Sequence, residues 1–370
     1  MLDHVSLVRP SDVPFAVQIR WRAALNAQKN WSSPFLRPEF ALAVGKVRAD
    51  ARILIAYDDQ GLLGLVCIHK RPGGYARPLG APVADHQAFI TEAGFNASLG
   101  DVLKAAGLGA LPFSALNDPQ KAVSDTMQNG FHSHIADLTC GPDAYFAAQD
   151  KTNRKHFKKM RQRARGAERD HGAMLLTLDS QNHADFSILL QWKRDQYRRT
   201  RKCDVLAADW ICALLHDLWQ AKGPLRAVLN VLYLGGKPAG AEIGLMCDGV
   251  YHSWIAAYDP QLSRCSPGLL LLEGIMRRAD DLGLTKIDLG AGHDHYKKYY
   301  ANEHIGLTQV KVLGGGLMAY QHRLLDQYGH KVLAGIPAKL YNSWEFIATC
   351  HPGWPGKVRG VAGRVTQVLS

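Results

Sequence analysis

Three β-rich runs joined by two tight turns give the clearest structural signal in this sequence. Residues 227–234, 239–247 and 250–257 predict three strands, and Gly235-Gly236-Lys237-Pro238 and Asp248-Gly249 predict the turns between them. Turns this short connect strands that run in opposite directions and lie side by side. The pattern therefore predicts an antiparallel meander of three strands.

The meander leads into a helix whose start carries a phosphate-binding pattern. Ser266 predicts the N-cap and Pro267 the first position of a helix over residues 268–282. The unpaired N–H groups and the positive dipole end of such a helix bind phosphate. The predicted contacts for a diphosphate are Arg264, Ser266, Gly268, Leu269 and Leu270. An ordinary capped helix has the same local sequence, so the motif alone leaves both interpretations open.

The length of the chain and the order of its elements predict two α/β domains. A chain of 370 residues exceeds the size at which one hydrophobic core usually stops growing. Its N-terminal part predicts helices over residues 11–28 and 33–47 and a hairpin over residues 52–69. The order helix, helix, hairpin recurs loosely in the second half, which suggests a structural duplication. A content of 47% hydrophobic and 21% charged residues excludes disordered, collagen-like and coiled-coil classes.

Positive charge is concentrated in two segments. Residues 151–169 contain nine Lys or Arg and one acidic residue, within a long basic helix predicted over residues 145–170, and residues 193–202 add six more basic residues. Such clusters favour an anionic partner, either nucleic acid, an acidic polymer, anionic lipid or a phosphorylated cofactor, although a solvated helix face has the same composition. No helix-turn-helix, RNP or finger pattern accompanies them, so nucleic acid is not the expected partner.

The sequence contains no run of apolar residues long enough to span a membrane and no signal peptide pattern at its N-terminus. Seven cysteines without a CxxC pair indicate reduced thiols. We therefore expect a cytoplasmic protein, and its basic charge is compatible with peripheral contact at the anionic inner surface of a membrane.

Three segments together resemble the GNAT superfamily of acyl-CoA-dependent N-acyltransferases, and specifically its CelD/BcsL-like branch with a double-GNAT, FemAB-like architecture. They are WIAAYDP, SPGLLLLEGIMRRADDLG and KIDLGAGHDHYKKYYANE, at residues 254–260, 266–283 and 286–303. Weaker counterparts, SPFLRPEFALAV and ILIAYDDQGLLGLVCIHKR, occur near the N-terminus. The strong match covers about residues 185 to 305 and the faint one nearly all of residues 1 to 315.

The resemblance implies an α/β fold with mixed sheets and two tandem GNAT-like domains, the N-terminal one degenerate. We expect the degenerate domain over residues 1–145 and a basic connecting helix over residues 146–172. The acyl-CoA-binding domain is expected over residues 173–315, followed by a helix and basic tail over residues 316–370.

The resemblance also implies how the donor binds. In GNAT folds two adjacent parallel strands splay apart, and the pantetheine arm lies in the gap. The corresponding strands here are residues 250–257 and 285–289, and the diphosphate would lie at residues 266–270. Backbone N–H groups near Trp254 and Ile255 would hold the oxyanion while an amine attacks the thioester. The expected co-substrate is acetyl-CoA or another acyl-CoA, and no metal is expected.

Two proton-handling groups are needed for this chemistry. Tyr296 is the candidate acid that protonates the leaving thiolate, although it is equally suited to pack beside Tyr299 and Tyr300. The candidate bases, in order of preference, are His293, Asp288, Glu242 and His252. The candidate substrate contacts are Lys297, Tyr258 and Trp192. A metal site at His293, Asp294, His295 and His304 is disfavoured because this segment predicts a loop that enters a helix.

These features predict an N-acyltransferase that modifies an amine in a precursor of a polysaccharide or of the cell envelope; the acceptor class follows from the resemblance alone. Three alternatives stay open: long-chain N-acylation of a lipid amine, aminoacyl transfer from tRNA as in FemAB relatives, and a non-catalytic regulator of polysaccharide synthesis that binds a nucleotide.

Overall fold

The computed structural model describes residues 1–123, 130–292, 295–317, 319–321, 347 and 350. These residues form two compact units that each combine separate stretches of the chain. The first consists of Met1–Phe131, Ala207–Leu214 and Gly306–Ser370, and the second of His132–Leu206 and Leu215–Ile305. The contiguous domain boundaries expected from the sequence stay a prediction.

The first unit contains a small antiparallel sheet with helices packed on it. Its elements in chain order are β1 (Leu2–Val8), α1 (Phe15–Asn26), α2 (Pro38–Val47), β2 (Ala51–Asp58), β3 (Leu63–Lys70), β4 (Ala76–Pro78), β5 (Phe89–Thr91), α3 (Leu99–Ala105) and β6 (Ala110–Leu116). The sheet order is β1-β2-β3-β4, and β5 also pairs with β3. The predicted hairpin is confirmed: the Asp58 carboxylate accepts the N–H groups of Gln60 and Leu62, which fixes the turn between β2 and β3.

The second unit contains the predicted meander and the elements around it. They are β7 (Gly130–Asp137), α4 (Pro142–Thr152), α5 (Arg154–His171), β8 (Met174–Thr177), α6 (His183–Arg199), α7 (Asp209–Gln220), β9 (Arg226–Leu234), β10 (Lys237–Cys247), β11 (Val250–Tyr258), α8 (Pro267–Arg277), β12 (Lys286–Ala291) and α9 (Lys297–Tyr300). Strand β7 and helix α7 begin in residues of the first unit and end in residues of the second. The last strand, β13 (Glu303–Leu313), begins in the second unit and ends in the first. Its residues from Thr308 to Leu313 belong to the first unit and pair there with β6.

The strands of the second unit follow the order β7-β12-β11-β10-β9-β8. Pairing is antiparallel except between β11 and β12, which are parallel. Asp248 and Gly249 both have positive φ, 49° and 74°, as the two central residues of a type I′ hairpin turn require. The meander and the mixed α/β fold class are thus confirmed.

Two predicted helices are interrupted. The long basic helix is divided into α4 and α5 at Asn153, whose φ of −119° and ψ of 36° are not helical. The helix expected to end at Leu282 leaves the α conformation at Arg278 and continues as a 3-10 turn to Gly283. Gly283 then has a φ of 65°, which a glycine adopts without strain, and it ends the helical segment as predicted.

The core of the second unit lies on both faces of the sheet. Buried side chains of α4, α5 and α8, among them Phe146, Phe157 and Leu271, form one cluster with Tyr251 of β11. Helix α6 packs on β10 and β11 from the opposite face, where the Lys193 ammonium donates to the Ala256 carbonyl at 3.1 Å. No helix in the described part of the chain combines the length and apolarity needed to cross a bilayer.

Candidate active site

Strands β11 and β12 begin as a parallel pair and then separate. Three residue pairs are in register, and the last is His252 opposite Asp288. Beyond it β11 continues to Tyr258 and β12 to Ala291 with no further pairing between them among the described residues. We call the gap between the two strands beyond this last pair the wedge. Backbone groups that face the wedge do not pair across it, so the wedge can accept an extended ligand.

A β-bulge lies on the β11 side of the wedge. Ile243 of β10 is opposite Ile255, but the next residue, Gly244, is opposite Ser253. Ser253 and Trp254 therefore share one partner position on β10. A bulge of this kind bends the strand and changes the direction of its backbone groups. It coincides with the position, Trp254 and Ile255, that the sequence predicted to hold the oxyanion.

His252 and Asp288 are in contact at the closed end of the wedge. The distance from His252 Nδ1 to Asp288 Oδ2 is 3.3 Å, and the two side chains are 0% and 2% exposed. The Ser133 hydroxyl and the Gly290 N–H both donate to Asp288 Oδ1, at 2.5 and 2.8 Å. These bonds fix the carboxylate, so its second oxygen is positioned to orient the imidazole and to stabilise it when protonated.

Glu242 lies on the other face of the sheet. His252 is opposite Leu245 on β10, and Glu242 is three residues before Leu245, so strand alternation separates the two side chains. The Tyr251 hydroxyl donates to Glu242 Oε1 at 2.7 Å, and Asn230 donates to that hydroxyl at 3.0 Å. Burial raises the pKa of both Glu242 and Tyr251. Of the predicted bases, the structure brings Asp288 and His252 together and places Glu242 apart from them.

Helix α8 begins directly after the turn that follows β11, as the phosphate-binding prediction requires. Ser266 occupies the N-cap position, as predicted, but its backbone is left-handed with φ of 57° and its side chain makes no capping hydrogen bond. Its carbonyl accepts the N–H groups of Leu269 and Leu270 at 3.0 and 3.1 Å, and its own N–H donates to Ser263. Three of the four proposed N–H donors are therefore already used within the chain.

The N–H of Gly268 is the remaining donor, with no acceptor among the described residues. The space around its Cα is open, because an added Cβ would meet no atom closer than Tyr258 Cδ1 at 3.6 Å. Arg264 is exposed on the turn that leads into α8, and Tyr258 is 36% exposed at the end of β11. The start of α8 thus offers one unpaired N–H, an open approach and a nearby cation, which suits a phosphate group.

Helix α9 follows β12 and carries two further candidates. The Lys297 ammonium is buried and donates to the carbonyls of Ala291 and Gly290, at 2.8 and 3.3 Å, so it covers the carboxyl end of β12. Tyr296 is half-buried and packs with Tyr299 against the core cluster, which is the packing role that the sequence left open. His293, the first-ranked base, and Asp294 lie outside the described residues.

Trp192 is half-buried on α6, next to the Lys193 that bonds to β11. Ser133, Asn230 and Tyr251 are further polar groups around Asp288 and Glu242, and the sequence did not single them out. Ser133 comes from β7 and is far from Asp288 along the chain, so no local pattern links the two residues.

Comparison with known families agrees with this geometry. Residues 154–298 match the family described as Acetyltransferase (GNAT) domain. The matched segment has the GNAT-type acyltransferase fold and contains α5, the meander, α8 and the start of α9. No curated protein matches the sequence. The CelD/BcsL-like branch stays an expectation.

Solved structures with a similar fold include FemX, with a TM-score of 0.53 at 9% identity. The alignment covers 84% of this chain and 98% of FemX, so the shared fold extends well beyond the matched GNAT domain. A tandem GNAT protein from the clavulanic acid biosynthesis pathway aligns with a TM-score of 0.44 at 10% identity, over 85% of this chain and 99% of that protein. At 9% identity the likeness to FemX bears on the fold alone.

Proposed function

We propose that this protein is an acyl-CoA-dependent N-acyltransferase, with acetyl-CoA as the favoured donor and an amine of a polysaccharide or cell-envelope precursor as acceptor. The observation that carries the proposal is the separation of β11 and β12 beyond His252 and Asp288, with a bulge at Trp254 and the start of α8 after the turn that follows β11. The acceptor class rests on the resemblance of the sequence to the CelD/BcsL-like branch.

In this proposal the extended pantetheine arm lies in the wedge and completes the backbone pairing that β11 and β12 do not make with each other. The diphosphate binds at the start of α8, where the Gly268 N–H, the helix dipole and Arg264 favour negative charge. Both ends of the donor are then fixed, and the thioester lies beside the bulge.

The acceptor amine attacks the thioester carbonyl carbon, and negative charge develops on the carbonyl oxygen. Backbone N–H groups at Trp254 and Ile255 stabilise that oxyanion. The C–S bond breaks as the carbonyl re-forms, and the departing thiolate takes a proton from Tyr296. An amine is mostly protonated at neutral pH, so a base must first remove one proton. We assign that step to His252, which Asp288 orients and stabilises as the imidazolium.

Release of free CoA thiol from acetyl-CoA tests the proposal, measured across a panel of amino sugars and sphingoid amines. We expect acceptor-dependent thiol release with one class of amino sugar. Turnover with only long-chain acyl-CoA and a sphingoid amine would instead identify a lipid N-acyltransferase.

Thermal unfolding with acetyl-CoA, long-chain acyl-CoA, tRNA or a cyclic dinucleotide gives a second, independent measurement. Stabilisation by acetyl-CoA is expected. Stabilisation by the cyclic dinucleotide alone, without thiol release, would contradict the enzyme and support a regulator.

A further inference from the structure

Helix α5 is strongly amphipathic, and its two sides differ in chemistry. Phe157, Met160 and Ala167 are buried and recur at helical spacing, so they form the side that packs into the core of the second unit. The opposite side is exposed and carries seven basic residues: Arg154, Lys155, Lys158, Lys159, Arg161, Arg165 and Arg169.

Five of these cations have no carboxylate partner in the part of the chain that the structure describes. Arg161 pairs with Asp150 and Arg169 with Asp170, each at 2.8 Å. No ion pair forms at the other five among the described residues, and we call these five the basic ridge: Arg154, Lys155, Lys158, Lys159 and Arg165. Like charges four residues apart, as at Arg154 and Lys158, destabilise an isolated helix. The fold is therefore not stabilised by the ridge, and its charge needs another explanation.

We infer that the basic ridge docks this protein on an anionic membrane surface, with lipid phosphate headgroups as the partner. From Arg154 to Arg165 the helix rises about 17 Å. That length is more than one phosphate group can occupy, so the ridge suits an extended array of negative charge. Basic residues next to an anionic bilayer each contribute to attachment, and their contributions accumulate.

The ridge favours lipid phosphates over single-stranded RNA. Sites for single-stranded nucleic acid combine cations with exposed aromatic rings on which the bases stack. On α5 the Phe157 ring is buried, and the His156 ring is already stacked on Tyr299 with centroids 4.1 Å apart. The ridge therefore offers charge without a stacking surface, and binding through it depends on electrostatics, which salt screens.

Helix α5 contacts the elements that follow both strands of the wedge. It packs against the 3-10 turn Pro260–Cys265, which follows β11 and leads into α8. In its first turn, the His156 imidazole lies 3.1 Å from the Tyr300 hydroxyl of α9, which follows β12. Docking through the ridge would therefore hold this side of the second unit at the lipid surface. The inference rests on charge and exposure alone, so it does not depend on whether the protein performs the proposed acyl transfer.

Vesicle co-sedimentation tests the inference with the full chain. The vesicles contain equal parts phosphatidylglycerol and phosphatidylcholine, with pure phosphatidylcholine for comparison. The ridge variant is Lys158→Gln with Lys159→Gln. The control, Arg199→Gln with Lys222→Gln, removes the same charge from exposed positions at the end of α6 and just after α7. Each lysine at an anionic surface contributes about fivefold, so the ridge variant should bind phosphatidylglycerol vesicles about 30-fold more weakly.

The control variant should bind phosphatidylglycerol vesicles within about twofold of the natural chain. High salt should release both the control variant and the natural chain from these vesicles. Equal binding by the ridge variant and the natural chain, or no binding of the natural chain to phosphatidylglycerol vesicles, would overturn the inference. Lysine-dependent binding to oligouridine without vesicle binding would overturn it in favour of RNA. Thermal unfolding checks that both variants fold, and thiol release with a soluble acceptor should be unchanged in both.

Discussion

The His252 imidazole and the Asp288 carboxylate lie 3.3 Å apart at the last paired position of β11 and β12. The wedge begins at the next residue of each strand, so a thioester in the wedge would lie close to this buried pair. The contact exists because the two strands are parallel and in register over three residue pairs, of which this pair is the last before the strands separate. The backbone topology thus places the His252 imidazole and the Asp288 carboxylate, which we propose as the base and its orienting group, beside the wedge.

Asp288→Asn should abolish most of the acyl transfer. The amide keeps the shape of the side chain but cannot stabilise a protonated His252, and a general base contributes about 10²- to 10⁴-fold. We expect kcat for thiol release to fall about 100-fold, with KM for acetyl-CoA nearly unchanged.

Glu242→Gln is the matched control for that substitution, because it changes the same functional group on the other face of the sheet. It should retain most of the activity. Loss of activity in Glu242→Gln with retention in Asp288→Asn would show that Glu242 is the base in place of the His252–Asp288 pair.

The family resemblance predicted the wedge, and local patterns predicted the elements that border it. Tight turns and the start of a helix are local features, so the meander, the start of α8 and β12 could be placed from the residues alone. The bond between Ser133 and Asp288 joins residues that are distant in the chain and depends on β7 pairing with β12. The left-handed backbone of Ser266, directly after the 3-10 turn, has no sequence signature either. Because the Ser266 side chain does not cap the helix, the Gly268 N–H stays unpaired among the described residues.

Gly244→Ala should destabilise the second unit. An added Cβ would lie 1.9 Å from Cζ of Tyr251, whose ring crosses β10 at this residue to reach Glu242. Overpacking at this distance requires the ring or the strand to move, and we expect a loss of about 3 kcal/mol in the free energy of unfolding.

Urea unfolding measures this change, with Gly268→Ala as the control, since its added Cβ has only ordinary contacts. The control should stay within about 0.5 kcal/mol of the natural chain. Equal stability of the two variants would show that the Tyr251 ring does not occupy this position in solution.

Acid should weaken the first unit through His69. Burial lowers the pKa of His69 to about 4, although the Asp50 carboxylate, 3.1 Å from its Nδ1, acts in the opposite direction. Its other ring nitrogen accepts the Gly80 N–H, so the folded state holds the ring neutral. The unfolded chain takes up a proton near pH 6.5, so stability from this group is present above that pH and is lost as the pH falls toward 4.

Between pH 7 and pH 5 the loss from His69 should be about 2 kcal/mol. Urea unfolding at the two pH values measures it, and His69→Asn is the comparison because it cannot take up the proton. The variant should be less stable at pH 7 and should show a smaller pH dependence. The same pH dependence in both chains would place the proton uptake on another group.

Gly268→Phe should weaken donor binding while the fold is retained. The Gly268 N–H is the one proposed phosphate donor without an acceptor among the described residues, and the space beside it is open to solvent and bounded by Tyr258. A phenyl ring there would cover the N–H and block a diphosphate, so Kd for CoA, measured by calorimetry, should rise about tenfold or more. The control is Gly223→Phe, an exposed glycine with nothing within 4 Å of an added Cβ. Because pantetheine has no diphosphate, its affinity should change less than that of CoA. If both ligands lost affinity equally, the ring would be closing the wedge and the diphosphate would bind elsewhere.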